Sequence, residues 1–339
     1  MKHALAVGSL ALLVLVFGPG VGAEAAAEPS LQASVSTATS RDQAGSTTFK
    51  IEVNLVQVEA TVNDEQGRAV GNLKRPDFRL FEDGVEQQIR YFSHDELPLA
   101  IALVLDSSTS VAAALQDLRE GALDTLSLLK PDDQVAVFSF TEKPQLIEKL
   151  TTDRNAIIED IAAIAPGGGT NINDALYQAS LYLGREVRGR RHAVILVSDN
   201  VASDRGSYDE QQVVRAALES GTVIYSIKVG FWDHSRLYYL MHPDPYLGWV
   251  NKVCRETGGQ VIDSRIVGSV SSALAAVINQ LKEGYTLGYT SSNQRQDGTF
   301  RRIEVRLANG GKKSRHRFKI YARSGYYAPL GPDPHNSTP

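Results

Sequence analysis

The sequence predicts an α/β fold, in which a doubly wound, mostly parallel, Rossmann-like sheet is inserted into a β-sandwich-like module built by both ends of the chain. Two observations predict it. Between residues 99 and 283, short apolar segments alternate with longer segments of helical periodicity, as in βαβ units. Residues 49–92 and 285–327 instead alternate with period two, as half-buried strands do. Neither flank has enough strands for a core of its own, so we expect one shared module; two separate small β extensions are the alternative.

The composition is that of a packed globular chain, with 339 residues, of which 42% are hydrophobic and 22% are charged. The net charge of −4 gives no reason to expect a nucleic-acid partner. Cys254 is the only cysteine, which excludes an intramolecular disulfide and a zinc site with several thiolates. Its apolar helical surroundings predict a buried, inert thiol.

The first residues have the three parts of a secretory signal peptide. Lys2 and His3 form a basic start, an apolar run follows, and small residues around Ala23 offer cleavage sites. We therefore expect a signal peptide over residues 1–23, and a flexible leader rich in Ala, Ser and Thr over residues 24–48. A retained membrane anchor is the alternative, although the run is shorter than the roughly 20 residues that span a bilayer. The expected location is the periplasm or the cell exterior, including its surface, with no membrane span after cleavage.

Residues 49–97 predict the N-terminal part of the β module. Apolar residues alternate from Ile51, and their parity switches at Val56, which predicts a bulge or a strand buried on both faces. A second strand is predicted around Phe78–Phe81. Asp83-Gly84 then predicts a tight hairpin turn into a strand over residues 87–92.

Residues 98–283 predict the α/β domain. The predicted strands cover residues 100–105, 135–140, 193–197, 223–229 and 260–262, with an edge strand at 145–150. The predicted helices cover residues 111–129, 155–164, 172–183, 209–219 and 269–282, and residues 237–257 are mixed helix and loop. Almost no polar residue interrupts residues 100–105, so we expect helices on both faces of the sheet.

Residues 284–329 predict the C-terminal part of the β module, and residues 330–339 a loose tail. Tyr285, Leu287 and Tyr289 fall on one face of a strand. Asp297-Gly298 predicts a hairpin turn into a strand over residues 303–307. Alternation resumes at residues 316–320, and the basic run of residues 312–317 indicates a solvated strand face, with a polyanion site as the alternative.

Oxygen-bearing side chains follow the predicted parallel strands where each strand ends. Asp106, Ser108 and Ser110 follow one strand, Asp199 follows another, and Thr170 comes after a glycine-rich loop. Because the carboxyl ends of parallel strands line one crevice, we expect these side chains at the same rim. Carboxylates and hydroxyls without His or Cys suit one hard divalent cation such as Mg²⁺, Mn²⁺ or Ca²⁺. These ligands only partly offset its charge, so an open position would attract an acidic group from outside.

This pattern resembles the metal-ion-dependent adhesion site of von Willebrand factor type A (VWA) domains in residue types, order and spacing. The resemblance implies that Ser108, Ser110 and, in one state, Thr170 bind the ion directly. It also implies that Asp106 and Asp199 act mainly through water, and that a Glu or Asp carboxylate of a partner takes the sixth position.

Two further features bear on the resemblance. Many VWA domains have glycine after the second aspartate, where this chain has Asn200. Residues 285–289, 297–301 and 325–329 resemble a bacterial subgroup of exported VWA-related proteins of the acidobacterial type.

The sequence therefore predicts an exported adhesion or binding module for a protein or peptide ligand, and not an enzyme. A metal-assisted hydrolase using the same ion and a structural scaffold with a degenerate site are the alternatives. The glycine-rich loop lacks the Lys-Ser/Thr ending of a nucleotide-binding loop. No Gly-x-Ser-x-Gly elbow follows a predicted strand. The aromatic stretch over residues 232–249 is equally compatible with a recognition loop and with core packing.

Overall fold

The computed structural model describes residues 55–94, 96–203, 206–230, 248–308 and 318–331. These residues belong to one compact unit. The predicted signal peptide, the leader, most of the aromatic stretch, the basic face of residues 312–317 and nearly all of the tail lie outside the described residues. No helix in the described ranges has both the length and the apolarity needed to cross a bilayer.

The strands of the described residues are β1 (Leu55–Asn63), β2 (Phe78–Glu82), β3 (Val85–Gln87), β4 (Ile89–His94), β5 (Leu99–Asp106), β6 (Gln134–Phe140), β7 (Pro144–Thr151), β8 (Arg191–Ser198), β9 (Thr222–Lys228), β10 (Val261–Asp263), β11 (Tyr285–Thr290), β12 (Phe300–Leu307), β13 (Lys319–Ala322) and β14 (Gly325–Tyr327). The helices are α1 (Ala112–Leu126), α2 (Arg154–Ala163), α3 (Ile172–Glu186), α4 (Glu210–Glu219), α5 (Trp249–Thr257), α6 (Ser264–Val267) and α7 (Val270–Lys282).

A six-stranded sheet in the order β10-β9-β8-β5-β6-β7 forms the α/β domain. Its strands are parallel except β7, which runs antiparallel at the edge. Helices α1, α2 and α7 cover one face, and α3, α4 and α5 cover the other. All eight residues of β5 are buried, because both faces are covered. The predicted doubly wound fold is confirmed.

Two four-stranded sheets, β13-β1-β11-β4 and β14-β12-β2-β3, form the β module. Each sheet joins strands from before and after the α/β domain: β1 pairs with β11, and β2 with β12. Their shared core includes Val58, Leu80, Leu287 and Ile303. The prediction of one module built by both ends is confirmed, and the alternative of separate extensions is wrong.

Some local predictions for the β module need correction. The predicted strand over residues 87–92 divides into β3 and β4, which belong to different sheets. The predicted hairpin at Asp297-Gly298 is wrong as well, since β11 and β12 also lie in different sheets. Alternation identifies a strand, but long-range packing chooses its partner.

The turn at Asp83-Gly84 is confirmed, with φ values of 48° and 82° that match a type I′ hairpin. The parity switch in β1 reflects burial on both faces, because Ala60–Asn63 are buried without interruption. Over residues 55–60, β1 pairs with β11 in unbroken register. The alternative of a bulge in that stretch is therefore wrong.

Two ionisable side chains of the α/β domain, the thiol of Cys254 and the phenol of Tyr225, are fully buried. Cys254 is fully buried, and burial raises the pKa of its thiol, as expected for an inert cysteine. Tyr225 on β9 is 1% exposed, and its hydroxyl lies 3.5 Å from the Thr61 hydroxyl on β1. Burial raises the pKa of Tyr225 from 10.0 to about 12.

This shift predicts alkaline destabilisation. Because the folded-state pKa of Tyr225 exceeds the unfolded one, its contribution is complete below pH 10 and is lost as the pH rises towards 12. Between about pH 9 and about pH 11, we expect Tyr225 to account for about 1 kcal/mol of lost unfolding free energy. Urea titrations of wild type and Tyr225→Phe measure this, and equal losses in both proteins would contradict it.

Candidate metal centre

Strands β5 and β8 end side by side at the carboxyl edge of the sheet. They are paired in parallel, with Leu105 opposite Val197. Asp106 is the last residue of β5, and Asp199 follows β8 directly. The parallel pairing of two buried strands therefore brings two carboxylates, which are distant in sequence, to one edge of the sheet.

Four of the five predicted site residues form a continuous hydrogen-bonded set. Asp106 Oδ1 accepts from the Ser108 amide at 2.9 Å, and the Ser108 and Ser110 hydroxyl oxygens lie 3.0 Å apart. Ser110 Oγ then donates to Asp199 Oδ2 at 2.8 Å. Asp106 and Ser108 are buried whereas Ser110 is exposed, so the set runs from the interior to the surface.

The fifth residue, Thr170, lies on the adjacent glycine-rich loop. The Gly167 amide donates to the Ser107 carbonyl at 2.7 Å, which fastens the loop to the turn after β5. The Thr170 amide donates to the Ser203 hydroxyl at 2.6 Å. Asn171 is the N-cap of α3, so the loop ends at a fixed helix start. In the part of the chain that the structure describes, no hydrogen bond joins the Thr170 hydroxyl to the other four side chains.

Ser198 supports Asp106 and was missed by the sequence reasoning. Its hydroxyl donates to Asp106 Oδ2 at 2.6 Å. Burial raises the pKa of Asp106, the hydrogen bonds from Ser198 and Ser108 oppose the rise, and the charge of Asp199 adds to it. A cation beside Asp106 would offset the cost of burying its charge. The sequence offers one signal for this role, because Ser198 ends an apolar strand directly before Asp199.

Glu142 also lies beside the glycine-rich loop. Its Oε1 accepts from the Gly169 amide at 2.7 Å, and this bond lowers the pKa of Glu142. A carboxylate held ionised in this way is a weak proton acceptor. The described histidines lie elsewhere: His94 is on β4, and His192 is near the amino end of β8. Glu142 therefore does not supply the hydrolase alternative with a general base of raised pKa.

Asn200 occupies a left-handed backbone conformation, with φ of 62°. Asparagine tolerates this region better than other non-glycine residues, which explains how it stands where many VWA domains have glycine. Its amide donates to Ser198 Oγ at 3.1 Å, and its side-chain oxygen accepts from Ser226 Oγ at 3.0 Å. Asn200 therefore preserves the backbone turn, and its side chain adds a contact to Ser226 on β9.

We expect Asn200→Val to lower the free energy of unfolding by about 1–3 kcal/mol, because a β-branched residue is strained at positive φ. Asn200→Gly relieves the strain and should change stability less. Urea unfolding of both variants checks this. A valine variant as stable as the glycine variant would show that the turn is not constrained.

The oxygen spacing fits a small hard cation. The described residues contain no cluster of three or more His, Cys, Asp or Glu side chains, so the hydroxyls must supply part of any ligand set. Adjacent ligands of octahedral Mg²⁺, at about 2.1 Å from the ion, lie about 3.0 Å apart, against about 3.4 Å for Ca²⁺. The 3.0 Å between the oxygens of Ser108 and Ser110, the two residues that the resemblance makes direct ligands, matches the spacing of the smaller ion.

A family model for the von Willebrand factor type A domain matches residues 101–201. The chain contains a von Willebrand factor type A domain. The matched segment begins in β5 and extends beyond Asp199, so it includes every predicted ligand. VWA domains generally mediate protein–protein interaction, often with a divalent cation, and the family is generally non-enzymatic.

The chain is also similar to a curated protein. The chain is 27% identical over 203 residues to inter-alpha-trypsin inhibitor heavy chain H4 of Bos taurus. The match covers 55% of this chain and 21% of the relative, so the chain spans about a fifth of the relative's length.

Solved structures with similarity to this chain include two bacterial proteins. A conserved hypothetical protein, BatB, from Bacteroides thetaiotaomicron is 18% identical with a TM-score of 0.42, over 55% of this chain and 98% of that one. A von Willebrand factor type A protein from Catenulispora acidiphila is 12% identical with a TM-score of 0.45, over 78% of this chain and 76% of that one.

Proposed function

We propose that this chain is an exported, non-enzymatic adhesion module. In this proposal its VWA domain holds one divalent cation, Mg²⁺ in preference to Mn²⁺ or Ca²⁺, and binds a Glu or Asp carboxylate of a protein or peptide partner. The observation that carries the proposal is the hydrogen-bonded set of Asp106, Ser108, Ser110 and Asp199 at the paired ends of β5 and β8.

Each residue has a distinct role in the proposed site. Ser108 and Ser110 would bind the ion directly, and Thr170 would join them in one state. Asp106 orients Ser108 through its amide, and Asp199 orients Ser110 through its hydroxyl. The bound cation would supply an electrophilic position for the carboxylate of the partner. The exposure of Ser110 provides access from solvent.

The non-enzymatic assignment is supported by the acid–base groups at this edge. Asp106 is buried, with both carboxylate oxygens hydrogen-bonded. The pKa of Glu142 is lowered. Export is supported by the signal-peptide pattern of residues 1–23, and the periplasm and the cell surface both fit it.

Calorimetric titration with Mg²⁺, Mn²⁺ and Ca²⁺ tests the metal site. Wild type should bind one ion per chain, and Asp106→Ala should bind none at millimolar concentration. Asp124→Ala, which removes an exposed carboxylate from α1, is the matched control and should bind as wild type. Circular dichroism verifies that each variant is folded. The proposal fails if wild type binds none of the three ions at millimolar levels.

A separate experiment tests whether the chain binds a partner protein through the ion. Proteins from the source cell that are retained on immobilised wild type in Mg²⁺ should be released by chelator and absent from immobilised Asp106→Ala. Retention that is equal on the variant, or unchanged by chelator, would argue against binding through the ion.

A further inference from the structure

A second candidate site lies at the opposite, amino edge of the central sheet. A cavity of about 570 Å³, partly open to solvent, lies there between the β module and the α/β domain. His192 and Thr222, near the starts of β8 and β9, form its floor, and Leu55 and Val56 on β1 contribute a wall. This volume is typical of small-molecule sites.

The cavity is lined by more positive than negative charge. Three arginines and two glutamates line it, which leaves one positive charge in excess among these five residues: Arg190, Arg191, Arg323, Glu59 and Glu219. Glu219 pairs with Arg215 on α4 at 2.7 Å. Apolar side chains, such as those of Leu55, Val56 and Pro329, share the remaining walls with polar groups. The lining therefore suits a monoanion with a hydrocarbon body.

Nitrogen atoms without partners are concentrated at this cavity. Arg191 Nη1, Arg323 Nε and His192 Nε2 are shielded from solvent and have no hydrogen-bond partner among the described residues. All three residues line the cavity. The Arg191 side chain is only 6% exposed. His192 Nδ1 donates to the Ser220 carbonyl at 2.9 Å, so Nε2 is the acceptor nitrogen of that ring and only the two arginine nitrogens are donors. A buried donor without an acceptor is costly, so an oxyanion that accepted from the two guanidinium groups would bind favourably.

Other nitrogen atoms of the two arginines make hydrogen bonds that hold their side chains in place. Arg191 Nε donates to Glu59 Oε2 at 2.6 Å, and Glu59 Oε1 accepts from the Thr286 hydroxyl at 2.7 Å. Arg323 Nη2 donates to the Gln57 carbonyl. Burial lowers the pKa of Arg323, because the charged guanidinium has lost its contacts with water. A bound anion could take the place of that lost solvation.

We propose that this cavity binds a small organic monocarboxylate. Its carboxylate would accept from the guanidinium groups of Arg191 and Arg323, and its carbon skeleton would lie against Leu55, Val56 and Pro329. A carboxylate fits better than phosphate, because the cavity has one excess positive charge and a phosphate dianion would exceed it. The site lies at the opposite sheet edge from the metal centre and needs no cation.

Calorimetric titration with sodium benzoate in the presence of chelator tests the proposal, because the chelator removes any metal-bound carboxylate. Benzamide is the neutral probe of the same shape, and inorganic phosphate is the competing anion. Benzoate should bind, and benzamide and phosphate should bind at least about tenfold more weakly. Equal binding of benzoate and benzamide, or tighter binding of phosphate, overturns the proposal.

Amino-acid substitutions test whether benzoate binds in this cavity. Arg323→Gln should weaken benzoate binding by about tenfold or more, because it removes a charged donor. Arg306→Gln, which removes an exposed arginine from β12, should leave binding unchanged. If Arg323→Gln does not fold, Leu55→Glu replaces it. Leu55 is 41% exposed, so the change spares the core and places a competing carboxylate at the cavity. Undiminished benzoate binding in the folded variant would refute the assignment.

Discussion

Replacing Arg301 with leucine is expected to lower the free energy of unfolding by about 3–5 kcal/mol, because it leaves a buried carboxylate without its cationic partner. Arg301 is 1% exposed and Glu82 is 2% exposed, and Arg301 Nη1 lies 3.5 Å from Glu82 Oε1. Arg301 also donates to the carbonyls of Asn293 and Arg295 at 2.8 and 2.7 Å. Urea unfolding measures the loss.

The size of this effect follows from how many groups meet at Glu82. Its Oε2 accepts from the hydroxyls of Tyr289 at 2.6 Å and Tyr326 at 3.0 Å, and its Oε1 accepts from Ser291 at 2.6 Å. Tyr289, Arg301 and Tyr326 belong to the three segments that resemble the bacterial subgroup. In this structure those residues build a buried polar network that joins the two sheets of the β module.

Two further variants make this prediction specific. Arg306→Leu removes an exposed arginine, whose pair with Glu304 is open to solvent, and should change stability little. Arg301→Leu combined with Glu82→Leu removes the buried charge that the single variant leaves behind. The double variant should therefore lose less unfolding free energy than the two single variants lose together. If Arg301→Leu is no more destabilising than Arg306→Leu, the network does not stabilise the module.

Ser198→Ala is expected to weaken Mg²⁺ binding by about tenfold to a hundredfold, the usual effect of removing a group that orients a metal site from behind. The Ser198 hydroxyl donates to Asp106 and accepts from the Asn200 amide, so it connects the ends of β5 and β8. Without it, Asp106 loses a hydrogen bond that favours its ionised form. Calorimetric titration with Mg²⁺ measures the change in affinity.

A matched substitution separates this effect from a general loss of stability. Ser180 on α3 is also fully buried, and its hydroxyl donates to the Leu176 carbonyl of its own helix. Ser180→Ala should leave Mg²⁺ affinity unchanged. Equal affinity of Ser198→Ala and wild type would mean that Asp106 is positioned without Ser198. A similar loss in both variants would mean that stability alone is responsible.

The sequence by itself determined the features that depend on local patterns. Helical periodicity and unbroken apolar segments identified the elements of the α/β domain, because a side chain's burial follows from its position on a helix or strand. The turn at Asp83-Gly84 was predictable because few residue pairs accept two positive φ values. The convergence of Asp106 and Asp199 was predictable because parallel strands end at one edge.

Only the tertiary structure decided which distant groups meet. Alternation placed strands at residues 87–92 and 303–307, but packing assigned β3 and β4 to different sheets and separated β11 from β12. Glu142 comes against Gly169, and Arg191 against Glu59, through folding alone. Strand pairing and cavity formation depend on surfaces far apart in the chain, and the period of any one segment contains no information about them.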